Sequence, residues 1–342
     1  MNRLNLSFLN EDKLPLLLEP KHTYQANLDY LIQYLKDQNA LFKDYLLNYG
    51  AILLRGFNVT SADHFSRIIN ACSLGAIFNY DQCIIPRTLI KPGIYTSINA
   101  PEWVEVSMHN EKSYSDHFPN HVYFYCEKSA TIAGNTPLMN GHQLWLSLPI
   151  ALQKKLEKKG ILYSKFYYGN GLESQLVSWM SKRFVEVTWM RHFQTDNKLD
   201  IETTFKKMNV EFEWASKGNG LILKTRRPAH RYHPINNKIV WFNQSNFNNN
   251  YYRSLSETVN LIKNPLYRFI LSQQRFTSYI ASFGDGEPIS KSEATLIHDT
   301  IVNNKISIPW CQGDVMVVDN LLCLHGKEPH RGERMILTSL TK

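Results

Sequence analysis

The sequence predicts a mainly β protein with α-helical insertions, built on a β-barrel or double-sheet core. Short β-prone runs such as Ile94-Tyr95-Thr96-Ser97, Val122-Tyr123-Phe124-Tyr125-Cys126 and Val315-Met316-Val317-Val318 recur along the chain, separated by Pro, Asn and Gly. Apolar residues at helical spacing, leucines at residues 144–159 and a similar pattern at 201–213, interrupt these runs rather than extend them. The 342 residues, 43% hydrophobic and 12% aromatic, supply ample material for a buried core and show no internal repeat, low-complexity tract or interdomain linker. One domain over residues 1–342 is expected, with helical insertions around 144–217 and 254–302.

In chain order, Leu28, Leu31, Ile32, Leu35, Leu41, Tyr45 and Leu46 mark a helix within 27–47, which feeds the apolar strand Ala51-Ile52-Leu53-Leu54. Arg55-Gly56-Phe57 closes that strand, and a second helix spans 61–69 with Ser61 as its cap. From Gly93 onward the runs Ile94 to Ser97, Val104-Glu105-Val106, Val122 to Cys126 and Thr131-Ile132 read as sheet. Leu146, Leu148, Leu152 and Leu156 then mark the helix at 144–159, and 201–213 reads similarly. Strand character returns at Leu221-Ile222-Leu223 and Ile239-Val240-Trp241-Phe242, gives way to helical stretches at 254–262 and 292–302, and ends in Val315 to Val318 and Met335-Ile336-Leu337.

The formal charge is +8 and the pI about 9.1. The basic residues form no nucleic-acid module: Lys154, Lys155, Lys158 and Lys159 fall on a helix and Arg226, Arg227 and Arg231 along a strand, as solvated faces or local ion-pair partners do. An attraction for anionic substrates or an acidic carrier protein stays open. Five widely spaced cysteines without a CxxC pair fit a reducing cytoplasm. Residues 1–10 are too polar for a signal peptide, and no apolar run reaches the roughly 18 residues that span a bilayer. A soluble cytoplasmic protein with no nucleic-acid or membrane partner is expected.

His109-Asn110-Glu111 offers an imidazole and a carboxylate two residues apart, and on an extended strand such side chains share a face. Two imidazoles and one carboxylate on one face of an Fe(II) ion leave three positions for a bidentate cosubstrate and dioxygen. The tripeptide alone is weak, since it recurs by chance. His325, between a turn-strand-turn segment from Gly313 to Asn320 and a strand opening at Arg334, has the best surroundings for a third ligand. A histidine satisfied by backbone hydrogen bonds at a loop mouth fits that position equally well.

These residues, taken with others, resemble the TauD/TfdA-type Fe(II)/2-oxoglutarate dioxygenases, in the branch near clavaminate synthase and the syringomycin-biosynthesis hydroxylases. The likeness runs through Arg55-Gly56-Phe57, Tyr95-Thr96-Ser97, Met108 to Tyr114, Phe118-Pro119, Phe124-Tyr125-Cys126 and Gly134-Asn135-Thr136-Pro137. It continues in His233-Pro234, Trp241 to Gln244, Gly284-Asp285-Gly286, Trp310, Gly313-Asp314, Asp319-Asn320, His325-Gly326 and Gly332-Glu333-Arg334. The resemblance implies a double-stranded β-helix, or jelly roll, with Fe(II) held by His109, Glu111 and His325. It assigns the distal carboxylate of 2-oxoglutarate to Arg334 and Thr136, and a guanidinium fork suits a carboxylate. The carboxylate of Glu111 argues against the related halogenases, which leave that position empty for chloride.

This sequence departs from the family at Ala133-Gly134, where relatives have paired glycines, and at Gly326-Lys327-Glu328, where they often have Gly-Arg. Thr338 stands where some members place a second arginine for a sulfonate, so sulfonate chemistry is not expected. The resemblance implies that O2 and 2-oxoglutarate are consumed, that succinate and CO2 are released, and that an unactivated C–H bond is hydroxylated. Its branch points to a small amino-acid-like substrate, free or presented on a carrier protein. Arg87, Ser113, Tyr114, Asn243 and Gln244 are the substrate-binding candidates, the last two expected on a barrel strand. A desaturase on the same scaffold and a non-catalytic binding protein are the alternatives.

Overall fold

The computed structural model describes residues 3–79, 87–98, 100–172, 174–175, 188–208, 210–215, 219–249, 251 and 279–342. The helix expected at 254–262 and Cys83 lie outside the described residues. The chain divides into two compact units: one comprises residues 1–147, 231–242 and 300–342, the other 148–230 and 243–299.

The first unit holds two large sheets. Eight strands lie in the order Asn5–Phe8, Leu16–Glu19, Ala51–Leu54, Val315–Asp319, His121–Lys128, Met335–Thr341, Ile94–Thr96 and Leu89–Lys91. Four more lie in the order Ile306–Ile308, Thr136–Asn140, Cys323–Lys327 and Val106–His109. Alternate residues of the eight-stranded sheet serve two cores. Ile52, Leu54, Tyr123, Tyr125, Val315, Val317 and Leu337 pack with Leu31, Leu35, Phe65 and Ile68 of the helices. Leu53, Val122, Phe124, Met316, Val318, Ile336 and Leu340 pack on the other side with Leu138, Ile308 and Cys323 of the four-stranded sheet. A strand buried on both faces has no polar side to present, which is why Ala51–Leu54 and Val315–Asp319 read as near-continuous apolar runs.

The first expected helix is two, Leu28–Asp37 and Asn39–Tyr49, because Gln38 leaves helical geometry at ψ 26° between them. Asn27 caps the first by accepting from the backbone N–H of Tyr30. Ser61 caps the helix Ala62–Cys72 as expected, accepting from the N–H of His64. The strand read at Val104-Glu105-Val106 begins only at Val106; Val104 instead closes a turn on the carbonyl of Pro101. The helix read at 144–159 is also two, Gly141–Ser147 and Ile150–Lys159, separated at Pro149, whose ring cannot donate within a helix.

The second unit carries an antiparallel sheet ordered Glu211–Trp214, Leu221–Arg227, Ile161–Tyr167 and Tyr279–Phe283. Here the helix expected over 201–213 is corrected. A helix covers Lys198–Lys207 and buries Ile201 and Phe205, whereas Glu211–Trp214 alternates exposed glutamates with half-buried Phe212 and Trp214 and pairs with Leu221–Arg227. The two-residue period wins because Phe212 and Trp214 both find the cluster of Tyr167, Trp189, Ile201, Phe205 and Leu221. Lys155 bridges Glu287 at 2.8 Å and Glu293 at 2.7 Å, and Lys159 bridges Asp285 at 2.6 Å, so these two lysines of the helix are locally paired.

Candidate metal centre

Strand register makes the site. His109 ends the strand Val106–His109, His325 lies in the middle of Cys323–Lys327, and the two strands pair antiparallel with these residues directly opposite. Their rings are 4.5 Å apart between centroids. Beyond His325 the register shifts, and at Gly326 an added Cβ would stand 2.6 Å from the carbonyl of Val106. Only glycine permits that close approach.

Glu111 joins them from the turn after its strand. Its backbone N–H donates to Oδ1 of Asn320 at 2.7 Å, and Nδ2 of Asn320 donates back to its carbonyl at 3.0 Å and to that of Pro119 at 2.8 Å. Asn110 donates in turn to the carbonyl of Asn320 at 2.7 Å. One ligand atom from each of His109, Glu111 and His325 falls within 4.8 Å of the others.

The donor set fits a divalent non-haem iron. Nδ1 of His109 lies 2.8 Å from the carbonyl of Ser107, which can only accept, so Nδ1 carries the proton and Nε2 keeps its lone pair. His325 is buried against the edge of Phe124, and its Nδ1 has no hydrogen-bond partner among the described residues. Burial lowers the pKa of His109 and carries that of His325 well below its ordinary value, so both imidazoles are neutral, the form that ligates. Two neutral imidazoles and a carboxylate match the donors of non-haem Fe(II).

Two arginines belong to this unit's chemistry. Nη2 of Arg87 lies 3.2 Å from Oε2 of Glu111, with the two side chains only 15% and 11% exposed. Arg334 donates through Nε to the carbonyl of Gly134 at 2.8 Å and through Nη2 to Oγ1 of Thr136 at 3.4 Å. Trp310 Nε1 donates to the same hydroxyl at 2.9 Å. Gly134 adopts φ 77°, and a Cβ there would lie 3.1 Å from Cδ of Arg334 and 2.9 Å from Cβ of His330. Burial pushes the pKa of Arg334 down to about 10, which still leaves it charged at neutral pH. No carboxylate forms an ion pair with it among the described residues. A desolvated guanidinium of this kind is costly until an anion pairs with it.

The remaining sequence candidates fall in different places. Ser113 and Tyr114 follow Glu111 in its turn; Ser113 is buried, and Tyr114 is half-buried. Asn243 and Gln244 lie beyond the strand Ile239–Trp241 rather than on it, and belong to the second unit. The Asn243 side chain donates to the carbonyl of Ala229 at 2.6 Å and accepts from the N–H of Ser245 at 2.9 Å, which turns the chain off the strand direction. Sequence reasoning missed the support given by Ser107, Asn320 and Trp310. Asn320 and Trp310 stood within the quoted motifs, but nothing local showed what they bond. Lys327 was also missed as a buried ammonium: burial lowers its pKa to about 8, and it donates to the carbonyl of Val104 at 2.7 Å.

Comparison with known proteins places the chain in a family. The family model described as taurine catabolism dioxygenase TauD, TfdA family matches residues 13–341. The chain is 27% identical over 293 residues to the dapdiamide synthesis protein DdaC of Enterobacter agglomerans, covering 85% of this chain and 82% of that protein. It is 26% identical over 328 residues to a clavaminate synthase-like protein of Arabidopsis thaliana, covering 92% and 88% respectively. The fold is similar to that of a taurine dioxygenase from Burkholderia xenovorans, with TM-score 0.54 and 13% identity over 99% of this chain and 90% of the other. The chain therefore belongs to the TauD, TfdA family and is a 2-oxoglutarate-dependent dioxygenase, working with Fe(II), 2-oxoglutarate and O2.

Proposed function

We propose that this dioxygenase hydroxylates an unactivated C–H bond of an amino acid or carrier-bound amino-acid derivative, with release of succinate and CO2. The convergence of His109, Glu111 and His325 within 4.8 Å carries the reading that these three hold the iron. Arg334 and Thr136 take the distal carboxylate of 2-oxoglutarate, a role supported by a half-buried guanidinium beside a hydroxyl. Bound Fe(II) supplies the activation of dioxygen and the oxidation of the substrate carbon. The chain's own part is to hold His109 in one tautomer through Ser107, to fix Glu111 through Asn320, and to orient the cosubstrate from Arg334.

The similarity to a protein named for dapdiamide synthesis supports a biosynthetic, amino-acid-like substrate. Within the first unit Ser113 and Tyr114 are the candidates to bind it; Asn243 and Gln244, also expected to do so, belong to the second unit. Thr338, fully buried on the strand Met335–Thr341, offers no cation for a sulfonate. A closed double-stranded β-helix within a single domain is the architecture we assign, and the cytoplasm the compartment; no helix among the described residues is long and apolar enough to cross a membrane.

The test is to supply protein with Fe(II), ascorbate and 2-oxoglutarate and to follow succinate while screening free amino acids and carrier-bound aminoacyl thioesters. Slow succinate release without substrate and faster release with an amino-acid compound is expected. Product gaining one oxygen supports hydroxylation, whereas product losing two hydrogens identifies a desaturase. No succinate under any condition, with no absorbance band on anaerobic addition of Fe(II) and 2-oxoglutarate, overturns the reading.

A further inference from the structure

The Arg87 contact asks for its own account. A side chain chosen only to receive substrate would point at the open side of the site, yet this one places Nη2 3.2 Å from Oε2 of Glu111. Both groups are largely withdrawn from water, so their charge-assisted bond is far less screened than a surface pair. Asn320 holds the backbone of Glu111, and Arg87 meets its carboxylate, where the side-chain torsions decide which oxygen faces the metal site. A carboxylate free to turn can offer a metal one oxygen or both. Two imidazoles with a two-oxygen carboxylate leave only two positions of an octahedron, whereas a one-oxygen carboxylate leaves three.

Resting on the iron reading above, we propose that Arg87 is a positioning residue for the metal carboxylate: it fixes the torsion of Glu111 through Oε2 and so favours a single Glu111 oxygen on the metal. Three positions then stay open, two for the keto-acid end of 2-oxoglutarate and one for dioxygen. No bond is made or broken in this role. Arg87 acts through Glu111, and its loss therefore shows first in cosubstrate chelation.

The experiment compares the full-length parent with Arg87→Ala and Arg87→Lys. Mn(II) and 2-oxoglutarate affinities are measured by calorimetry, the Fe(II)/2-oxoglutarate band is recorded anaerobically, and the melting temperature of each metal-free protein is followed. The Ala variant should bind 2-oxoglutarate more weakly by about 10-fold or more, of the order by which losing a metal ligand's hydrogen-bond partner lowers activity. Its Mn(II) affinity should fall much less, since three ligands remain and a neighbouring cation has gone. Its Fe(II)/2-oxoglutarate band should shift or weaken. The Lys variant, whose ammonium can still hold an oxygen, should recover most of the cosubstrate affinity and the parent band. Unchanged 2-oxoglutarate affinity and band in Arg87→Ala, with only the substrate KM raised, would overturn the proposal and make Arg87 a substrate residue. Equal losses of Mn(II) and 2-oxoglutarate affinity with a lowered melting temperature in both variants would overturn it in favour of a purely structural role. A parent protein that forms no band defeats the iron reading itself, so the two failures are distinguishable.

Discussion

Arg334 sets its charge beside the Gly134 carbonyl and the Thr136 hydroxyl, and on the reading proposed above a carboxylate of 2-oxoglutarate pairs with it there. Arg334→Ala should weaken 2-oxoglutarate binding by about 2 to 5 kcal/mol, roughly 30-fold or more, while leaving Mn(II) affinity nearly unchanged. Titration of 2-oxoglutarate into the Mn(II)-loaded variant measures this, and parent-like affinity would show that another group anchors the cosubstrate. The two histidines give a second expectation. Their folded pKa values lie below the ordinary 6.5 because burial disfavours the charged ring. As pH falls through about 6.5, the unfolded chain takes up protons that the folded chain refuses, so metal-free stability should fall by up to about 1.4 kcal/mol per pH unit for each histidine. Denaturant unfolding between pH 7 and pH 5 checks the sign; a flat profile, or one unchanged by His325→Ala, would contradict it. The convergence of His109, Glu111 and His325 was legible only through the family resemblance, since the His109-Asn110-Glu111 tripeptide alone is weak and His325 lies more than two hundred positions away. The Arg87 contact with Glu111 was not, because two charges 24 positions apart reveal nothing of their pairing until the chain is folded.

Among the elements, the turn between Val315–Asp319 and Cys323–Lys327 does the joining. Asp319 Oδ1 accepts from the N–H groups of Leu321 and Leu322 at 2.9 Å each, shaping the turn, while Asn320 reaches across to the Glu111 segment. Asn320→Ala leaves the buried N–H and carbonyl of Glu111 without that partner, and each orphaned group costs about 1 to 3 kcal/mol. The variant should lose both thermal stability and metal affinity, whereas a variant melting like the parent would show that the turn is held elsewhere. Ala133 supplies the opposite case. It stands at φ 57°, a left-handed conformation that costs an L-residue roughly 1 to 2 kcal/mol. Ala133→Gly should therefore be neutral or stabilising by up to about 1 kcal/mol despite the added chain entropy of glycine, and clear destabilisation in denaturant unfolding would refute that. The strands were readable as apolar runs and the cap of the helix Ala62–Cys72 as Ser61. What failed was periodicity across a boundary: Pro149 divides one helical pattern, and Phe212 continues the helical spacing of Ile201 and Phe205 by coincidence while obeying, with Trp214, the two-residue period of a strand.

For the molecule as a whole, metal and fold are linked by mass action. Fe(II) or Mn(II) at about 100 times its Kd should add roughly 2.7 kcal/mol to stability, and His325→Ala should lose that increment while its metal-free melting stays near the parent's. A full metal-induced shift in His325→Ala would mean that the ion sits elsewhere. The sheet order has a further implication for how a cell makes this protein. The strand His121–Lys128 is flanked by Val315–Asp319 and Met335–Thr341, whose residues pair with it from roughly 190 to 220 positions downstream. At the ribosome's pace of about 5 to 20 residues per second, Val122 to Cys126 waits for about 10 to 40 s with both edges bare. An unpaired apolar strand is a template for other chains. Synthesis therefore holds this strand open to such pairing until Met335–Thr341 emerges, and a chain cut short before Met335 would keep one edge of it bare for good.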